Sequence, residues 1–425
     1  MLHHRRTGLN LASTEFAVRT AMHAVGRVLL EQVLNSAPGQ RGPSIACGSG
    51  HQAEFVSYRD KQLTTVLGPV RLRRAYYYCP HCEAGRSPKD EELDVVATSF
   101  SPGARRLLAR GGAQEAFAAA RADLAELAGL TVPTKEVERV SEYCGAQIEV
   151  AATTERAAAL TGKLVALPGV PVLYVAIDAT GVPVVPRDLE GRAGKDGPAK
   201  TREVKLACVF TQSTVDADGY AVRDPSSTSY VGAIEPAAAF ALRVKAEAVR
   251  RGLHQATQVV VLGDGAPWIW TLATAQFPAA VHIVDLYHAR EHLAGLGKLV
   301  YGAETVAAKD WIAARFDDLD DGAVDAVLHA LGQLPVHNDA GREQVRKDTE
   351  YFEANALRMC YRAFRTLGLF VGSGAIEAGC KTVVGQRLKH SGMRWTVAGA
   401  NAVIALRCNL LSDRWEDFWN RRAAG

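Results

Sequence analysis

The stretch Tyr174-Val175-Ala176-Ile177-Asp178 carries an apolar run straight into a carboxylate. A second stretch, Val259-Val260-Val261-Leu262-Gly263-Asp264-Gly265, does the same. Short apolar runs rich in β-branched residues read as buried strands. An acid pulled to the edge of a core by the residues before it costs free energy unless it binds something, and a divalent cation is the natural partner of two such acids. Taken alone, Asp264 also fits a turn or a helix cap, because Gly265 and Pro267 follow it.

Working outward, turn and cap signals give the order of elements. Strands are expected over 172–186, 202–211 and, shorter, 229–234; a helix over 236–251, stopped by Gly252; then strand 258–262, helix 267–275 and strand 281–284. Three antiparallel strands followed by helix, strand, helix and strand is the order of a ribonuclease-H-like α/β core. From 286 to about 370 the pattern is helical throughout, too long for a connection, so it reads as an all-α insertion. The acidic run 317–321 inside it lacks the ligand spacing of a calcium loop and reads as a solvated turn. After the insertion, Gly372-Ser373-Gly374-Ala375-Ile376-Glu377 opens a helix expected to run through Leu388. Glu377 is a third candidate carboxylate; its bland alternative is an exposed ion pair with Lys381 four residues on.

Upstream, 14–35 shows apolar residues at helical spacing, and 52–78 shows short β-type runs divided by Gly68-Pro69, the composition of a hairpin. Cys47 and His51 precede this hairpin, and Cys79 and Cys82 follow it. Knuckles flanking a hairpin can close a tetrahedral zinc site, so a zinc-ribbon-like β module with structural Zn²⁺ is expected; the alternative is packed cysteines beside surface histidines. Arg71, Arg73 and Arg74 next to Tyr76 to Tyr78 combine cations and aromatics as phosphate and base contacts require, against the plainer reading of a solvated sheet face. Ser101-Pro102 starts a helical region, in which 118–128 and 134–148 about the turn 129–133 outline a helix-turn-helix. The expected segments are thus an N-terminal helix (1–40), the β module (41–95), a helical DNA-binding region (96–160), the first part of the core (161–290), the insertion (291–370), and the last core helix with a basic C-terminus (371–425).

Composition is that of an ordinary globular protein: 425 residues, 48% hydrophobic, 22% charged, net charge 49 − 46 = +3. It excludes a disulfide-stapled miniprotein, a fibrous chain and a disordered one. Basic surface must be local, and 378–425 supplies it, with eight Lys/Arg against three acids. Lys381, Arg387, Lys389 and Arg394 in that stretch are candidate DNA contacts. The opening residues 1–6 lead into no apolar run, and the most apolar stretch, 164–177, holds two prolines and only 14 residues, too few to span a bilayer. A cytoplasmic location with no membrane contact is expected.

The chain resembles the ISKra-type insertion-sequence DDE transposases, relatives of the Mutator-like enzymes. The resemblance runs through Arg71 to Pro80, the strand ending in Asp178, the Gly263-Asp264-Gly265 turn, Asp285-Leu286-Tyr287-His288 and, most specifically, the run from Gly372 to Trp395. It implies Asp178, Asp264 and Glu377 as a catalytic triad holding two Mg²⁺ or Mn²⁺ ions. Asp285 and His288 resemble the acid-x-x-His element that supports the site, although His288 and His292 also form a His-x-x-x-His spacing. The first knuckle here, Cys-x-x-x-His, departs from the family's Cys-x-x-Cys. The implied partners are double-stranded transposon ends and target DNA, and the implied assembly is a homodimer or larger. Two rivals remain open on the residues alone: a nuclease on the same core that cuts without joining, and a non-catalytic DNA-binding regulator.

Overall fold

The computed structural model describes residues 10–37, 39–163, 170–194 and 197–423. Residues 1–6 and the start of the apolar stretch at 164–169, both read above, lie outside them. No helix among the described residues is long and apolar enough to cross a membrane. The chain divides into two compact units, residues 1–144 and 145–425.

In the first unit, α1 (Leu11–Asn35) precedes a four-stranded antiparallel sheet in sequential order, β1 (Ser44–Ala46), β2 (Gln52–Thr65), β3 (Gly68–Cys79) and β4 (Ala84–Arg86). Along β3 alternation buries Val70 and Leu72 on one face, against Leu63 and Val95, and Ala75, Tyr77 and Cys79 on the other, against Cys47 and Ala53; Arg71 and Arg73 between them are exposed. Helices α2 (Pro88–Glu92), α3 (Pro102–Gln114) and α4 (Phe117–Ala128) follow. The expected start of α3 holds: Ser101 caps it, its hydroxyl accepting from Ala104 N, with Pro102 in the first turn. Gly129, left-handed at φ +65°, ends α4. The next helix, α5 (Thr134–Leu160), is 27 residues long and runs well past the expected end at 148. It passes from the first unit into the second.

The second unit is built on a mixed five-stranded sheet. Its strands are β5 (Val172–Pro183), β6 (Thr201–Gln212), β7 (Ser229–Ala233), β8 (Gln258–Gly263) and β9 (Val281–Val284), arranged β7-β6-β5-β8-β9. The first three pair antiparallel; β8 and β9 join parallel, on the other side of β5. Helices α6 (Ala237–Arg250) and α7 (Pro267–Gln276) make the two crossovers. The order and kind of all seven elements are those expected from the sequence. β8, the first half of β5 and residues 206–210 of β6 are near-continuous apolar runs because the sheet is covered on both faces.

After β9 the chain leaves the sheet as α8 (Leu286–Tyr301), α9 (Val306–Asp320), α10 (Val324–Gly332), α11 (Asp339–Asn355) and α12 (Tyr361–Thr366). It returns along residues 368–373, and the return is laced to the sheet. Gln212 Nε2 donates to Gly368 O at 2.8 Å, Phe370 N to the Tyr174 hydroxyl at 3.2 Å, and Leu286 N to Val371 O at 2.9 Å. The wholly buried Asp285 closes the loop: Oδ1 accepts from His288 N at 2.7 Å and Oδ2 from Ser373 N. Helix α13 (Gly374–Gly379) then packs against β5 and β6, followed by a π-helical turn over Cys380–Gly385, α14 (Gln386–Leu388), α15 (Val397–Leu411) and α16 (Trp415–Ala423). The sequence predicts one continuous helix where the π turn interrupts it. The carbonyls of Thr382 and Val383, in the turn, accept from the buried Arg407 guanidinium of α15, with Nε to Val383 O at 2.8 Å.

The Asp285 staple can be tested on stability. Asp285→Asn turns one carboxylate oxygen into a donor that must face a backbone N–H. It is expected to lower the unfolding free energy by about 2–3 kcal/mol in a urea melt; a loss below about 0.5 kcal/mol would show that the staple does not hold the return.

Candidate functional site

The parallel register pairs Leu262 with Ala176, so two residues further on Asp264 stands beside Asp178, each at the sheet's edge of the apolar run that leads to it. Desolvation raises the Asp178 carboxyl above the usual range, and the Asp264 charge pushes it the same way. Bonds from the Cys380 thiol and from Ala179 N, at 2.6 Å, and the nearness of His288 act against the rise. Two acids held side by side at a half-buried edge are a like-charge pair that a hard cation would relieve, and their donors are all oxygen. Asp264 also makes the turn contact expected of it alone, Oδ1 accepting from Ala266 N at 2.9 Å.

Glu377 sits on α13, half exposed, its carboxylate 3.7 Å from Lys381 Nζ. That ion pair is the bland alternative of the sequence, and it is formed. Cys380, whose thiol reaches Asp178, is three residues further on, so Glu377 lies one turn before the residue of this segment that touches Asp178. Among the described residues the three carboxylates are not drawn into one ligand cluster. Gly379 allows α13 to sit this close to the sheet: a Cβ there would stand 2.7 Å from the Tyr230 ring and 3.3 Å from Leu206.

Around the aspartates the structure adds residues the sequence did not mark. Tyr351, from α11 of the insertion, donates from its hydroxyl to Asp264 O at 3.0 Å. Its ring stacks on His292 at 4.1 Å, and His292 Nδ1 lies 2.7 Å from the buried Asp348. Gly265, at φ +99°, has no room for a Cβ, which would fall 2.4 Å from Tyr351. His288 and His292 have ring centroids 5.3 Å apart, and His292 is engaged by Asp348 and Tyr351; among the described residues the two are not drawn into a ligand cluster. Asp285 reaches the site through the backbone alone. Cys380, three residues after Glu377, carried a helical-spacing signal; Tyr351, 87 residues from Asp264, carried none.

The basic candidates separate by burial. Lys381 and Arg394 are exposed, and Lys389, also exposed, bonds the Thr180 hydroxyl two residues past Asp178. Arg387 is a correction: it is wholly buried, its guanidinium 4.9 Å from the Trp395 ring centroid, so in this structure it faces core and not solvent. In the first unit, Arg71 and Arg73 face outward, Arg73 lying 5.2 Å from the Tyr58 ring. Arg74 is engaged within the unit, Nε to Asp90 Oδ1 at 2.7 Å, which takes it out of the set of open cations.

The first unit also gathers Cys47, His51, Cys79 and Cys82, their ligand atoms all within 4.8 Å of one another. Cys47 Sγ lies 3.6 Å from Cys82 Sγ, and His51 Nδ1 3.3 Å from the same sulfur. A tetrahedral zinc with Zn–S bonds of about 2.3 Å sets ligand sulfurs about 3.8 Å apart, so the four residues fit that ion. A backbone N–H at Ser49 is the chief cause that draws the Cys47 thiol down to about 7, toward the thiolate a metal needs.

These features define a mixed α/β protein with a cysteine and histidine cluster that can bind zinc. No protein-family model matches the chain, and no curated protein matches it. Among solved structures it is similar to the Drosophila P element transposase strand transfer complex, at 9% identity and a TM-score of 0.32, over 76% of this chain and 95% of that one.

Two measurements follow from this geometry. Protein purified without chelator is expected to carry one zinc per chain by elemental analysis. Cys79→Ser should lose the zinc and lower the melting temperature; a metal-free wild type of equal stability would remove the ion from the account. For Asp178 the sign is set by its raised pKa. The folded state holds the proton more tightly than the unfolded one, so this stabilisation is present in acid and is lost as pH rises through the folded pKa. Asp178→Asn should therefore raise Tm by about 1–3 °C at pH 7.5, with the gain vanishing near pH 3.5. A lower Tm at both pH values would contradict the like-charge pair.

Proposed function

We propose that the chain is a metal-dependent DNA transposase with a ribonuclease-H-like core, cutting at element ends and joining them to target DNA. The observation that carries the reading is the pair Asp178 and Asp264 at the ends of neighbouring parallel strands, with the proton affinity of Asp178 raised by burial and by its neighbour's charge. The strand order and the resemblance of the run from Gly372 to Trp395 support it.

In this reading Asp178, Asp264 and Glu377 would hold two Mg²⁺ ions, which would supply charge stabilisation to an in-line phosphoryl displacement. The residues of the chain do the rest. Lys381, within the π turn, and Lys389, beyond its end, offer cations to the DNA backbone next to the carboxylates. Asp285 fixes the return segment from which α13 starts, and so sets the position of Glu377. Tyr351 holds the Asp264 turn through its carbonyl. Arg71 and Arg73 on the first unit's sheet, with the helices α4 and α5 about Gly129, are the proposed readers of the element ends. Water is the nucleophile in cleavage, and the freed 3′-hydroxyl is the nucleophile in joining, so no covalent protein intermediate is needed.

The test is end cleavage and strand joining by the purified chain with Mg²⁺, on the DNA that flanks its own gene, beside Glu377→Gln. The wild type is expected to give joined products and the variant at least a 100-fold loss. Cleavage without joining would indicate the nuclease. Binding to the flanks without cleavage, equal in both proteins, would leave a DNA-binding regulator.

A further inference from the structure

Helix α1 is folded inside out. Its row Arg19, His23, Arg27, Glu31 and Asn35, at intervals of four, faces the first unit. Arg19 donates to Glu126 O at 3.0 Å, and the Glu31 carboxylate accepts from Arg71 N at 2.8 Å. Asn35 accepts from Arg73 N and donates to Arg71 O, both at 2.7 Å. These bonds cover the stretch of β3 that β4 leaves unpaired, since β4 reaches only Tyr77 to Cys79. Leu30 and Leu34 pack beside them, against the cluster of Leu63, Val70, Leu72 and Val95. The helix is therefore fixed to the unit by a mostly polar side into which Leu30 and Leu34 are set.

The opposite side is apolar and open. Leu11, Val18, Met22, Val25, Leu29 and Val33 are each between 53% and 70% exposed. At 100° per residue they fall within an arc of about 80°, and their intervals of 7, 4, 3, 4 and 4 approximate a heptad seam about 33 Å long. No exposed position from 16 to 33 carries a charge.

We propose that this seam pairs with the same seam of a second copy of the chain, about a two-fold axis. An uncharged seam is complementary to itself and holds no charge pattern that would select a different partner. The six residues expose on the order of 700 Å² per copy, close to the roughly 800 Å² each partner buries in a standard-size interface. A lipid surface fits less well. Membrane-bound helices flank their apolar face with cations, whereas Arg19 and Arg27 are turned into the protein. This inference stands on the first unit alone and holds whatever reaction the second unit performs.

The experiment is the mass of the full-length chain in solution, by light scattering and sedimentation, for the wild type and for V25E/L29E. The wild type is expected to be a dimer at micromolar concentration, and the variant to dissociate at least 100-fold more readily while keeping the far-UV spectrum and melting temperature. Met22 lies midway along the seam and faces its own copy in either helix direction, so Met22→Cys should give a covalent dimer on mild oxidation where the wild type gives none. If V25E/L29E fails to fold, the Met22→Cys result decides. A monomeric wild type, a dimer that persists in a folded V25E/L29E, or no crosslink through Cys at 22 would each overturn the proposal. Vesicles containing anionic lipid that bind a monomeric wild type would assign the seam to a membrane instead.

Discussion

The second unit depends on where one carboxylate is buried. Asp285 ends β9, and both of its oxygens are used by backbone N–H groups, one at the start of α8 and one 88 residues later at Ser373. A buried ionised group is tolerable only when its lone pairs are matched in this way, and once matched it is costly to move. Five helices can therefore be inserted between those two points without loosening the sheet. The closure entropy of a long loop grows only slowly with its length, while the staple and the bonds along 368–373 fix its ends. The position of α13 on β5 and β6, and so of Glu377, follows from that closure.

The small sheet of the first unit relies on a different constraint. Its cluster of Cys47, Ala53, Ala75, Tyr77 and Cys79 has little apolar volume, and two of its five buried members, Cys47 and Cys79, belong to the group of possible zinc ligands completed by His51 and Cys82. A module with so small a core gains from a bound ion what it lacks in buried area. The other exposed flank of that sheet is covered by polar atoms of α1, which explains why the helix turns its apolar side away: the unpaired N–H and C=O groups of β3 require hydrogen-bonding partners, and leucine and valine have none to offer.

Much of the second unit's sheet was legible because its strands are bounded by strong signals. β5, β8 and β9 are apolar runs of strand length closed by Pro, Gly or Asp, and antiparallel and parallel neighbours differ in how long a connection they need. The two aspartates were legible for the same reason, since a carboxylate ending a buried run is visible in one dimension. Three features were not. Counting Lys and Arg over 378–425 cannot tell a cation in solvent from one stacked on a tryptophan or bonded to carbonyls, so Arg387 and Arg407 counted toward a basic surface although both are buried. Tyr351 comes from a helix whose register on the Asp264 turn is set only by tertiary packing. The amphipathic spacing of 14–35 gave the helix correctly, but periodicity alone does not say which stripe faces inward.

The π turn after α13 is the remaining departure from local rules, and its position argues for what that end of the sheet is for. A wide turn is poorer in hydrogen-bond geometry than the helix it interrupts, and here it is supported by burying the Arg407 guanidinium, with desolvation drawing its pKa down. A sequence selected for stability alone would continue the helix and place an apolar residue at 407. What the turn provides is direction. Cys380 at its start reaches Asp178, while Lys389 beyond its end reaches Thr180 on the same strand, so one chain segment touches β5 on both sides of the turn. An irregular turn supported by a buried cation, beside the paired aspartates, is a departure from local rules of the kind expected where a protein holds groups for a ligand and not for its own packing.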